Sequence, residues 1–105
     1  MTVSPSDIQR MLVHGEIVED SRANGHFEYY FTNKRILCKE SKNNVYTSIL
    51  YRHIQSVSIR LRSRGTTNAM LEITMVGGNV DSFSFSNDAD AISTKRIILE
   101  KAMQP

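Results

Sequence analysis

The chain carries one cysteine, Cys38, among 105 residues. A single thiol excludes an internal disulfide and leaves a cysteine-based zinc site without partners, so a reducing compartment is expected. No apolar run approaches the roughly 20 residues of a membrane-crossing helix. The opening residues, MTVSPSDIQRMLVHGE, show no basic start followed by an apolar stretch, and the expectation is a cytoplasmic protein. Neither sign of charge dominates: 13 Lys and Arg face 11 Asp and Glu, a net +2 that gives no general argument for nucleic acid or anionic membrane. A glycine-rich phosphate loop, a G-x-S-x-G elbow and paired acids in contrasting settings are all missing, so an enzyme is not expected. His14, His26 and His53 lie far apart and form no ligand motif. They read as surface imidazoles, and neither a metal nor a cofactor is expected. Cys38 reads as a small core residue of a strand in preference to a nucleophile.

What is present is alternation. At 40% hydrophobic and 23% charged residues, the composition is that of a globular protein, and the length suits one domain spanning 1–105. Ser4-Pro5-Ser6-Asp7 has the chemistry of a helix start, and Ile8, Met11 and Leu12 form one apolar stripe before Gly15. A short helical segment within 1–14 is expected. Residues 16–23 are a weak strand candidate, followed by the hairpin signal Asn24-Gly25. In the return strand, Phe27, Tyr29 and Phe31 share the face expected to be core, while Glu28 and Tyr30 point the other way. Strands are expected over 35–39, 45–50, 55–62, 69–76 and 80–85, with Val57, Ile59 and Leu61 facing the core and Ser56, Ser58, Arg60 and Arg62 facing water. Gly77-Gly78-Asn79 is a hairpin turn. Residues 87–103 form a closing helix, capped by Asn87, with Asp88 and Asp90 in its first turn. Ala91, Ile92, Ile98, Leu99, Ala102 and Met103 make its apolar stripe.

Two antiparallel sheets with about seven strands over 16–86, and one terminal helix, predict an open β-barrel capped by that helix. Leu12 to Val18 (LVHGEIV), Thr32 to Ile36 (TNKRI), Ser48 to Ile54 (SILYRHI), Leu71 to Met75 and Phe83 to Phe85 resemble, in this order, the motifs of bacterial pleckstrin-homology-like domains. The resemblance spans nearly the whole chain. It departs at Leu50, where the family's pattern has proline. It implies a mainly β fold with the short N-terminal and long C-terminal helices, no catalysis, and an interaction or assembly role in which relatives associate through sheet surfaces into rings.

Two sets of residues are candidates for binding. Arg60, Arg62 and Arg64, with Lys34, Arg35, Arg52 and His53 at strand corners, are a candidate anion site for a lipid headgroup or phosphate, against the competing reading of an ordinary solvated face. Eukaryotic phosphoinositide-binding relatives carry several basic residues at the first hairpin; here only Arg22 and His26 stand there. Tyr30 and Tyr46 are candidates for exposure at a protein interface, a second copy of the chain among the partners considered, against burial inside the barrel. A protein partner is the first expectation, a weak anionic lipid the alternative, and nucleic acid is disfavoured because the Phe27, Tyr29 and Phe31 face suits a core better than base stacking.

Overall fold

Alternating runs separated by turn residues fold into seven strands and two α-helices, in two compact units that divide after Leu50. The computed structural model describes residues 6–65 and 67–104. In the first unit, α1 (Ser6–Met11) precedes β1 (Val18–Asn24), β2 (Phe27–Thr32), β3 (Arg35–Glu40) and β4 (Val45–Leu50). The four strands form an antiparallel meander in chain order. In the second, a 3-10 turn at Tyr51–His53 leads into β5 (Ile54–Arg60), β6 (Ala69–Met75) and β7 (Val80–Phe85), again antiparallel in chain order, and then into α2 (Asp88–Ala102). Ser4 and Pro5, the expected start of the first helix, lie outside the described residues.

The first sheet buries both of its faces along β2. Tyr29 and Phe31 lie on one side, in register with Cys38 and Ile36 of β3, and Ile36 is in turn in register with Ile49 of β4. Tyr30 lies on the other, in register with Leu37. Of the two readings open for Tyr30, exposure and burial, the structure shows burial, at 4% exposed. The reason is α1: its Ile8 is fully buried in a cluster with Tyr30 and Leu37, ringed by Leu12, Val18 and Tyr46. Two helical turns therefore convert a wet face into core. Phe27 departs in the opposite sense. Expected in the core, it is 44% exposed and stacks on Tyr29 with 6.4 Å between ring centroids.

In the second unit Ala69, Leu71 and Ile73 of β6, and Phe83 and Phe85 of β7, are buried as their alternation predicts. The Met75 to Asn79 turn is closed by Met75 N–H donating to Asn79 O at 2.7 Å and Gly78 N–H to Met75 O at 2.9 Å. Gly77 and Gly78 both adopt positive φ there (103° and 95°), which is why two glycines stand in sequence. β5 ends at Arg60, short of the expected Arg62, and Leu61 is 43% exposed instead of core. On α2, Asn87 caps the helix by accepting from Asp90 N–H at 2.8 Å. Its buried stripe is Ala91, Thr94 and Ile98, while Ile92 and Met103 are exposed. Thr94 is admitted because its hydroxyl donates to Asp90 O at 2.7 Å, which satisfies the polar group inside the helix.

Leu71 is fully buried in the middle of the central strand of its sheet. Leu71→Ala is expected to lower stability by about 2–5 kcal/mol, seen in urea unfolding as a lower midpoint at an unchanged slope.

Candidate functional site

The corner between β2 and β3 holds the densest polar constellation of the first unit, and it explains the Thr32 to Ile36 motif. Glu16 is buried, its side chain wholly shielded from solvent. Arg35 approaches it with two nitrogens, Nε to Oε2 at 2.9 Å and Nη2 to Oε1 at 3.0 Å, the forked geometry that suits guanidinium to carboxylate. The remaining Arg35 donors reach Met11 O at 2.7 Å and Ser48 Oγ at 3.0 Å. Glu16 also accepts from Val13 N–H at 3.0 Å and from the Thr32 hydroxyl at 2.7 Å. Thr32 Oγ1 in turn accepts from the backbone N–H groups of Lys34 and Arg35 at 3.0 and 2.9 Å. Asn33 fastens the other side: Oδ1 accepts from Ile17 N–H at 2.9 Å and Nδ2 donates to Gly15 O at 3.0 Å.

Burial by itself raises the Glu16 pKa, but the hydrogen bonds from Arg35, Thr32 and Val13, with the Arg35 charge, outweigh it and hold the carboxyl below its usual range. Tyr30 moves the other way. Desolvation, and then its hydrogen bond to the Glu28 carboxylate, push the hydroxyl far above the ordinary tyrosine value.

This geometry rearranges the anion candidates. Arg35 was placed among them and is instead committed to Glu16, Met11 and Ser48, with its side chain only 17% exposed. Lys34 at the same corner is exposed. Arg52 and His53 sit in the 3-10 turn before β5, and Arg62 and Arg64 follow that strand, so a seven-residue strand, about 23 Å long, separates the two pairs. Arg60, Arg62 and Arg64 are exposed. Asp88 confronts Arg62, accepting its backbone N–H at 2.8 Å and facing its Nε at 3.8 Å. Arg62, Ser63, Thr67 and Asp88 line a shallow open depression. Arg22 at the first hairpin is paired with Asp20 at 2.7 Å. Tyr46 is half-buried beside Lys39, whose ammonium lies 5.8 Å from its ring centroid. His14, His26 and His53 are exposed, and Cys38 is half-buried in mid-strand. Sequence reasoning missed Glu16 as the buried partner of Arg35, although both belong to the motifs quoted above.

Comparison with known proteins places this arrangement in a class. No family model matches the sequence, and no curated protein matches it. Solved structures do. A pleckstrin-homology domain from Shewanella amazonensis SB2B superposes with a TM-score of 0.78 at 17% identity, covering 94% of this chain and 85% of that one. A DUF1696-family protein with a pleckstrin-homology domain from Shewanella loihica PV-4 gives a TM-score of 0.71 at 16% identity, covering 93% and 89%. A pleckstrin-homology-domain-containing protein from Exiguobacterium sibiricum 255-15 gives 0.64 at 17% identity, and there the chain spans 60% of the other's length. The chain has the pleckstrin-homology fold as bacterial proteins carry it, with seven strands in two antiparallel sheets, a terminal helix and a short leading helix. Among the described residues no helix is long and apolar enough to cross a membrane.

Truncating either member of the buried pair, as in Glu16→Ala or Arg35→Ala, is expected to cost about 3–5 kcal/mol, and Arg35→Lys should recover only part because lysine lacks the fork. The depressed Glu16 pKa sets the pH dependence. On acidification the unfolded chain takes up the proton first, so the pair's contribution is complete above the ordinary value of 4.5 and is lost as pH falls through the lower folded value. Thermal unfolding of the wild type should therefore weaken below about pH 4.5 more steeply than that of Glu16→Gln.

Proposed function

We propose that this chain is a non-catalytic interaction module that binds protein partners, a second copy of itself among them, by adding a strand to an open sheet edge. The observation that carries this reading is the edge of β4. Among the described residues β1, β4, β5 and β7 each pair along one side only. An exposed edge invites further pairing unless it is guarded by a bulge, a charge or a proline. β1 breaks register between Val18 and Asp20, β5 breaks register between Ile54 and Ser56, and β7 carries Asp81. β4, Val-Tyr-Thr-Ser-Ile-Leu, has none of these guards, keeps register with β3 throughout, and is rich in β-branched residues. Its Val45, 48% exposed, places an apolar side chain on the edge strand itself, in register with Glu40 of β3. Main-chain pairing supplies affinity in such a mode and the flanking side chains supply selectivity.

The alternative ligand, an anionic headgroup or phosphate, draws on Arg60 and Arg64, with Lys34, Arg52 and His53 also exposed, while Arg35 faces Glu16 and Arg62 faces Asp88. Binding through such exposed cations is weakened by screening at physiological ionic strength.

Light scattering across concentration, with and without anionic vesicles, separates the readings. The expected result is a mass above that of the monomer that ignores vesicles and falls to the monomer in Val45→Lys/Thr47→Lys, which guards the edge at two exposed positions without touching the core. A monomer that moves onto anionic vesicles, and is released by salt or by Arg60→Glu/Arg64→Glu, overturns it.

A further inference from the structure

The face of the first sheet that α1 covers is built as a receptor for that helix. Six residues are too few for a helix that stands alone in water, so α1 exists where the sheet supports it. Its support is narrow. Among the helix residues whose burial is described, Ile8 is the fully buried one, in the cluster with Tyr30 and Leu37, and Leu12 joins half-buried just past the helix end. Asp7, Gln9, Arg10 and Met11 are exposed. Two polar contacts set direction: Arg35 Nη2 donates to Met11 O at 2.7 Å, and the Tyr46 hydroxyl reaches Asp7 Oδ2 at 3.5 Å. The receptor thus reads an aliphatic side chain, a terminal carbonyl and an acidic residue one turn earlier.

The connector from Leu12 to Gly15 carries exposed Val13 and His14 and ends in a glycine at φ +79°. It is pinned by Val13 N–H to Glu16 Oε1 and by Glu16 N–H to Val13 O, both 3.0 Å, and at its far end by Asn33 Nδ2 to Gly15 O, also 3.0 Å. None of these bonds joins α1 to the sheet, so a connector that extends from Gly15 keeps every contact between α1 and the sheet available, from whichever copy the helix comes.

We infer that the Tyr30–Leu37 groove accepts the α1 segment of a second copy of this chain, the two copies exchanging their leading helices. Because the exchanged and unexchanged forms share the groove contacts, they differ only in the connector and in the entropy of association, and concentration selects between them. This deepens the self-association proposed above by giving it a second, separate contact, and it rests on that reading only in supposing that copies meet.

The test uses the full chain in the Val45→Lys/Thr47→Lys background, where assembly through β4 is already suppressed. Removing Val13 and His14 makes the connector too short for α1 to fold back on its own sheet. The expected result is a dimer by light scattering with wild-type circular dichroism, returned to monomer when Ile8→Asp is added. In parallel, the Ile8→Asp chain, its groove emptied, should bind a fluorescein-labelled peptide copying residues 6–15, and the same peptide with Ile8→Asp should not bind. If Ile8→Asp does not fold, the shortened chain decides alone. A shortened chain that stays monomeric or fails to fold overturns the inference, as does a folded Ile8→Asp chain indifferent to the peptide. Dimerisation of the shortened chain with no β4-dependent mass in the wild type would sink the edge reading and leave this one standing.

Discussion

A carboxylate without solvent is tolerable only where its charge is answered at close range, and the Glu16–Arg35 pair meets that condition with two parallel hydrogen bonds. Much of the first unit's connectivity follows from it. Arg35 begins β3 and its fork fixes where β2 must end. Its spare donors hold the C-terminal carbonyl of α1 and the Ser48 hydroxyl of β4, so one side chain ties the leading helix and two strands to a single point. Thr32 and Asn33 complete the corner by using side chains where backbone pairing has run out, which leaves few polar groups of this turn for water.

The strands were legible because period-two patterning reports which residues share a face, and the turns because Asn-Gly and Gly-Gly positions announce themselves chemically. What alternation cannot report is what lies over each face. Tyr30 looks like a solvent residue beside Glu28 until α1 is placed on it. Phe27 looks like core until it is seen to stand at the end of its strand. On α2 hydrophobicity favoured Ile92, whereas geometry chose Thr94, whose hydroxyl is satisfied by its own helix. The fold was therefore readable from local pattern, and the candidate site much less so.

The basic residues illustrate the same limit in electrostatic terms. A list of cations carries no information about the acids that face them. Arg22 finds Asp20, Arg35 finds Glu16 and Arg62 finds Asp88, and each pairing weakens the field an anion would meet. Large apolar side chains left exposed in the first unit include Val45 at the start of β4 and Phe27 at the start of β2.

Both sheets are meanders in which every strand pairs only with its neighbour in sequence. Contacts of this kind close small loops, and topologies dominated by them fold faster than β structures built from distant pairings. The chain emerges from the ribosome in the same order in which its hairpins form. By the time Leu50 has cleared the exit tunnel, Glu16, Thr32, Arg35 and Ser48 are all present, and the first unit has every partner of its buried ion pair before the second has emerged. A nascent chain paused at that point exposes the β4 edge while other copies are being made nearby. Polysomes crowd copies of one sequence together, so the pairing of β4 edges proposed above would meet its highest local concentration there.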